Sequence, residues 1–473
     1  MTSHLLFING EFRDCASRKR IPQTNPATGE VFAEVAAAGP SELEAAVQGA
    51  HNAFTREWRD LIPRKRTDIL FAIARGIRAH VEELAQLECR NIGKPISDAR
   101  DEIELGARIL EYYAGGVTRL FGQTIPVGRG GFDFTLRQPM GVVAAIVPWN
   151  FPFPISCWKA APALAAGNTV VLKPASQSPL TALLLGRIAA EAGLPAGALQ
   201  VLPGQGSDIG DALATHPLVR KISFTGSTSV GSRIMSLAAK DLKRVSLELG
   251  GKSPNIVFAD CDLEAAATSS PMSVFANTGQ DCCARSRVFV ERKIFDAFVD
   301  KFVAATRKLE VGDPARDKTQ IGPLVSEGQR KSVEEFVDSA RNRKIACGGS
   351  RSQTKGAFLE PAVVLDVEPG DRVWREEVFG PVVCIRPFDD EAAMLREVND
   401  SPYGLSGSIW TNDLKRAIRV ARAVESGVLS INSHSSVHVE APFGGFKQSG
   451  IGRDLGMSAL EGYTELKNVY VAD

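Results

Sequence analysis

From residue 141 onward, short apolar runs alternate with helical stretches, and this alternation constrains the fold more than any other feature. The runs "GVVAAIVPW", "TVVLKP", "LQVLPG" and "KISFTGS" are each closed by Pro or Gly. Between them lie segments such as "SPLTALLLGRIAAEAG", apolar at helical spacing. A strand buried on both faces reads as a continuous apolar run, and strands separated by helices pair in parallel. A second series begins near residue 253 with "SPNIVFA", "SRVFVER", "GPVVCIRPF", "LSGSIWTN" and "GVLSINS". A chain of 473 residues is also too long for one core. The pattern predicts an α/β protein with two doubly wound parallel-sheet domains, divided near "LELGGKSP".

Residues 41–115 are rich in Ala, Glu, Arg and Leu at helical spacing. Ser41 is the predicted N-cap of the first helix, with Glu44 three residues later completing a capping box. The segments 124–140 and 463–471 alternate like strands. They are either ordinary edges or, together, a flap through which chains associate, because unpaired edges invite pairing.

Lys plus Arg and Asp plus Glu number 55 each, so the formal charge is zero. Neither nucleic acid nor an acidic membrane is indicated as a partner. The N-terminus lacks a basic segment followed by a long apolar run, and no apolar run is long enough to cross a membrane. Of eight cysteines only Cys282 and Cys283 are adjacent, with no CxxC and no His cluster. A disulfide framework and a metal site are both unexpected, and a cytoplasmic protein with reduced thiols is the reading.

Several short motifs carry chemistry, and each has a bland reading alone. "SFTGSTSVGS" sets Gly226 and Gly231 between a strand and a helix, where backbone N–H groups suit a phosphate. Ser232 and Arg233 stand where a nucleoside triphosphatase needs Lys and Ser/Thr, so that class is disfavoured. Lys173 closes "TVVLK", at the strand end where such sheets bind ligands; taken alone, a solvated surface lysine is the favoured reading. Glu248 ends an apolar strand, and burial would raise its pKa toward that of a general base. "IVPWNFPFP" fixes Asn150 in a Pro-rich loop, where its amide suits a developing oxyanion. "GQDCC" holds either a reactive thiol or two inert buried ones.

Taken together, "PWNFP", "KPAS", "FTGSTSVG", "LELGGKSP", "GQDCC", "EEVFGP" and "PFGGFKQSG" resemble the aldehyde dehydrogenase superfamily. They occur in the family's order from about residue 20 to 470, with Glu248 and Cys282 at the family's separation. The resemblance implies Cys282 as nucleophile, with Cys283 packed or facing away. It implies Glu248 as the base that activates water, Asn150 in the oxyanion hole, and Lys159 near a proton path. Asp454, near that path, stands where glutamate is usual, and its shorter side chain weakens the inference.

For NAD or NADP the resemblance implies Lys173 and Ser176 at the adenosine ribose, and Gly226, Ser227 and Gly231 at the pyrophosphate. Glu377 would meet the nicotinamide ribose, with Phe379 and Leu249 nearby and Val147, Pro148 and Trp149 along the crevice. Ser176 replaces the glutamate common in NAD-specific relatives, which removes a repulsion against a 2′-phosphate, so NADP is expected to be accepted. The implied division is a cofactor domain at 1–117 and 139–249, a hairpin at 118–138, a catalytic domain at 250–450 and a C-terminal segment at 451–473. The hairpin and C-terminal segment would build a homodimer or homotetramer.

The resemblance implies a small aldehyde as substrate. "KPASQ" resembles the succinic semialdehyde dehydrogenases, but Ala276 and Trp158 stand where those enzymes place arginines. Phe151, Trp158 and Phe443 suggest an aromatic tunnel, with Asp281 and Glu440 at its mouth. An apolar, aromatic or ω-amino aldehyde is therefore expected over one carrying a carboxylate. A non-catalytic relative would have lost Cys282 or Glu248, and an acylating relative typically lacks the glutamate.

Overall fold

In the computed structural model of the protein, residues 2–128, 130–352, 355–435 and 437–472 are described. The apolar runs read from the sequence are strands of two large sheets. The first sheet has eight strands. Its centre is parallel, in the order Arg244–Glu248, Val219–Thr225, Val142–Ile146, Thr169–Lys173 and Leu199–Val201. The second has seven, with Lys344–Cys347 antiparallel at one edge and six parallel strands beyond it. Pro254–Val257 lies inside that parallel set, between Arg287–Glu291 and Ser406–Trp410. The chain passes from one sheet to the other between Glu248 and Pro254.

Every residue of Val142–Ile146 and Thr169–Lys173 is buried, which is why these strands are continuous apolar runs. Helices cover both faces, as right-handed strand–helix–strand connections require. The helices Pro63–Ala79, Val81–Ile92 and Ile96–Gly116 pack with Pro152–Ala165 into one core. Helix Pro40–Ala53 covers the other face of the first sheet. Its start corrects the predicted capping box. The helix begins at Pro40 with Gly39 as N-cap, and Gly39 N–H donates to Glu42 Oε2 at 2.8 Å. Proline preset for the first helical turn outcompetes Ser41 for the boundary.

Segment Phe132–Pro139 pairs antiparallel with both Thr124–Ile125 and Thr464–Val471, so hairpin and C-terminal strand form one three-stranded sheet. The N-terminal residues hold strands absent from the sequence reading. Thr2–His4, Val31–Ala36 and Arg20–Thr24 form a separate sheet, and Leu6–Ile8 extends the first large sheet antiparallel to Leu199–Val201.

Candidate active site

The carboxyl ends of two neighbouring parallel strands, Val219–Thr225 and Arg244–Glu248, place Thr225 opposite Glu248. Gly226 follows, and its N–H donates to the Glu248 carbonyl at 3.0 Å. A Cβ on Gly226 would sit 2.5 Å from the Phe224 ring, and one on Gly231 would sit 2.5 Å from Leu249, so both glycines permit close packing. Ser227 caps helix Thr228–Ala239 by accepting from Val230 N–H. Those first-turn N–H groups face the strand ends, where an anion is favoured.

The segment before Cys282 is conformationally unusual. Asn277, Thr278 and Gly279 are consecutively left-handed, at φ 50°, 57° and 70°. Asn tolerates that region; a β-branched Thr there costs roughly 1–3 kcal/mol. Buried hydrogen bonds hold the turn. Asn277 Nδ2 donates to the carbonyls of Asn150 at 2.9 Å and Gln280 at 3.2 Å. Thr278 Oγ1 donates to Gly322 O at 3.0 Å, and Gln280 Oε1 accepts from Val325 N–H at 2.9 Å. A Cβ on Gly279 would meet the Gly380 carbonyl oxygen at 2.2 Å, so that position requires glycine on two grounds. The turn is thereby fixed against the Asn150 loop, and Asn150 Nδ2 donates to Gln280 O at 2.9 Å.

One cleft of about 240 Å³ brings Cys282, Glu248 and Asn150 together with Pro148, Trp149, Gly226, Ser227, Leu249, Glu377 and Phe379. Cys282 is half-buried there. Its thiol is pushed well above the ordinary range, first by a hydrogen bond with the Cys283 thiol, then by burial and by Asp281. Cys283 packs in the core, but its thiol turns toward Cys282 rather than away. Glu248 is buried, and burial followed by Asp454 raises its pKa well above the carboxylate range. Two polar atoms lining the cleft, Glu248 Oε2 and Thr225 Oγ1, are buried without a hydrogen-bond partner among the described residues. Glu377 Oε1 accepts from Gly251 N–H at 3.0 Å, and burial raises this carboxyl to about 7. Trp149 meets Phe379 edge-on, ring centres 5.2 Å apart.

Behind Glu248 lies a buried polar chain. Lys159 Nζ donates to Asp454 Oδ2 at 3.0 Å and to Ser223 Oγ at 3.1 Å. Asp454 thus reaches Lys159 despite its short side chain. Tyr463 OH donates to Ser223 Oγ at 3.0 Å.

Other predicted residues lie outside this cleft's lining. Lys173 ends the strand Thr169–Lys173, which lies beyond Val142–Ile146, and burial lowers its ammonium to about 8. Among the described residues its ammonium donates to Pro174 O alone, at 3.0 Å. Val147 N–H donates to Lys173 O. Ser176 is half-buried, with its carbonyl accepting from Gln23 Nε2 at 3.0 Å. The Trp158 and Phe443 rings meet edge-on at 5.2 Å, and Lys94 Nζ sits 4.3 Å above the Phe151 ring. Asp281 lines a different pocket of about 630 Å³ with Arg285 and His434, and Glu440 is exposed. A larger cavity of about 740 Å³, lined by Thr28, Arg90 and Asp313 among others, shares no lining residue with the Cys282 cleft.

Asn277, Thr225, Ser223 and Tyr463 were not singled out from the sequence. Asn277 lies five residues before Cys282 and was within reach of inspection; the others are brought in only by tertiary packing.

The profile described as "Aldehyde dehydrogenase family" matches residues 12–469. Human retinaldehyde dehydrogenase 3 is 42% identical over 472 residues, 98% of this chain and 92% of its own. Betaine aldehyde dehydrogenase 1 of rice (Oryza sativa subsp. japonica) is 42% identical over 476 residues, 98% and 94% of the two chains. The NAD+ complex of an aldehyde dehydrogenase from Bacillus cereus superimposes with a TM-score of 0.98 at 41% identity, covering 99% of this chain and 96% of its own.

Proposed function

The chain belongs to the aldehyde dehydrogenase family, a family of NAD(P)-dependent oxidoreductases, and we propose that it converts an aldehyde to its acid through a covalent adduct on Cys282. The observation that carries this reading is the meeting of Cys282, Glu248 and Asn150 in one cleft. The Cys282 sulfur, its proton released to water in the cleft, adds as thiolate to the aldehyde carbon. Charge developing on the former carbonyl oxygen is met by the Cys282 N–H and by the Asn150 amide, which has two N–H donors and uses one on Gln280 O. NAD(P)+, when bound, supplies the hydride acceptor that turns this adduct into a thioester. Glu248 then takes a proton from the water that releases the acid. Its raised pKa supports that role, since a stronger base is made by the same burial. The Lys159–Asp454 pair, near enough to bias Glu248, supports an onward path for the proton.

The residues fit the cofactor. Ser227 and the first turn of its helix suit the pyrophosphate, and Glu377 suits a ribose hydroxyl. Lys173 retains free donors for the adenosine ribose or a 2′-phosphate, and Ser176 adds no negative charge there. We read the enzyme as accepting both NADP+ and NAD+.

The substrate we favour is an apolar, aromatic or ω-amino aldehyde. Trp158 packs edge-on with Phe443, both buried and outside the cleft's lining, so no charged partner for a substrate carboxylate stands at that position. The names of the two relatives point to one apolar and one cationic aldehyde, and neither to a carboxylate. Arg285 is an unsuitable carboxylate partner, because it is buried on the carbonyls of Cys283 and His434 and on Ser408 Oγ. Ile125, Phe132, Leu136, Leu466 and Tyr470 are exposed on the three-stranded sheet, which supports association into a homodimer or homotetramer. The test of the reading is turnover with both cofactors in Cys282→Ala and Cys283→Ala. Loss in the first and substantial retention in the second is expected; the reverse would move the nucleophile to Cys283.

A further inference from the structure

We propose that Asp281, Cys282 and Cys283 form a binding site for a thiophilic divalent cation such as Zn2+ or Cd2+, and that the bound ion inhibits the enzyme. The cation is a reversible inhibitor in this account and not a resident cofactor. One carboxylate oxygen and two sulfurs lie within 4.8 Å of one another. A tetrahedral zinc with sulfur at about 2.3 Å and oxygen at about 2.1 Å separates two sulfurs by about 3.8 Å and sulfur from oxygen by about 3.6 Å. With all three atoms within 4.8 Å, no pair has more than about 1.2 Å to close to reach those separations. Two sulfurs select a soft or borderline ion over Mg2+ or Ca2+.

The three groups sit on one short turn. Asp281 Oδ1 accepts from Cys283 N–H at 2.8 Å, which fixes the carboxylate beside the two thiols. Access exists from two sides, since Cys282 lines the 240 Å³ cleft and Asp281 the 630 Å³ pocket. A fourth coordination position is left for water. Two thiolates and a carboxylate carry three negative charges against two on the ion. The excess is offset by Arg285 and Lys94, whose charges oppose the burial that raises Asp281. On binding, two metal–sulfur bonds and one metal–oxygen bond form, the two thiol protons pass to solvent, and no group is oxidised or reduced. The coordinated Cys282 sulfur is a weaker nucleophile, because the ion withdraws the charge it would bring to an aldehyde.

The site rests on geometry alone, whereas the inhibition rests on Cys282 being the nucleophile. The two are separated by titrating the enzyme with Cd2+ while reading thiolate-to-cadmium absorption and turnover together. The expected result is one ion per chain, absorption from two sulfurs, inhibition in step, and reversal of both by a chelator. Cys283→Ala, and Cys283→Ser as the variant closer in shape, should keep substantial turnover. Each should bind Cd2+ about a hundredfold more weakly, having lost one ligand. Unchanged Cd2+ affinity in both variants would overturn the site. Two-sulfur binding with full turnover would leave the site standing and overturn Cys282 as the nucleophile.

Discussion

Replacing Asn277 with Ala tests whether the left-handed turn aims the Cys282 thiol. The substitution removes the two hydrogen bonds to Asn150 O and Gln280 O. Gln280 O keeps its bond from Asn150 Nδ2, so about 1–2 kcal/mol is lost here, most of it at Asn150 O. Alanine at φ 50° adds about 1 kcal/mol of backbone strain relative to asparagine. The sum is about 2–3 kcal/mol. Unfolding entropy for 473 residues is about 1 kcal/mol/K, so Tm should fall by about 2–3 °C. Loss of the tether between the Asn150 loop and the cysteine turn displaces both oxyanion donor and nucleophile, and kcat should fall about a hundredfold. Asn277→Gly relieves the strain without restoring the bonds, so it should recover the melting temperature in part and kcat hardly at all. Thermal unfolding and steady-state turnover at saturating aldehyde read these effects. Wild-type kcat in Asn277→Ala would refute the idea that this amide positions the site.

Glu248→Gln should give a burst of NAD(P)H followed by slow turnover, and unchanged steady-state rates would remove Glu248 from the base role. Because burial raises Glu248, its neutral form persists above the ordinary carboxylate range, so hydrolysis-limited turnover should rise with pH through that raised pKa; a profile lacking this limb in the wild type would count against it. Ser176→Glu should lower kcat/KM with NADP+ by about a hundredfold or more while sparing NAD+. In the wild type, NADP+ efficiency should fall above about pH 8 as Lys173 loses its proton, and indifference to pH there would remove the lysine from the phosphate. On a panel of hexanal, benzaldehyde, aminobutyraldehyde and succinic semialdehyde, the last should be the poorest substrate; a clear preference for it would overturn this substrate reading.

The parallel sheets were legible because burial on both faces leaves runs such as "GVVAAIVPW" with no polar interruption. The N-terminal strands were not, since Thr2–His4 and Arg20–Thr24 mix exposed and polar residues and gain their order from pairing with Val31–Ala36. Cys282, Glu248 and Asn150 were legible through motif order. What holds them was not. The Thr278–Gly322 and Gln280–Val325 bonds each join residues more than forty positions apart. No local pattern encodes such a contact. Asp281 shows a related limit: its carboxylate is engaged by the backbone of its own turn and opens onto a separate pocket.

Catalysis through Cys282 requires a thioester on its sulfur. Mixing Glu248→Gln enzyme with a preferred aldehyde and NAD(P)+, quenching in acid and mapping the adduct by peptide mass spectrometry measures it directly. The predicted result is one acyl group per chain, on the Cys282 sulfur. An adduct on Cys283, or turnover with no adduct at either cysteine, would contradict it.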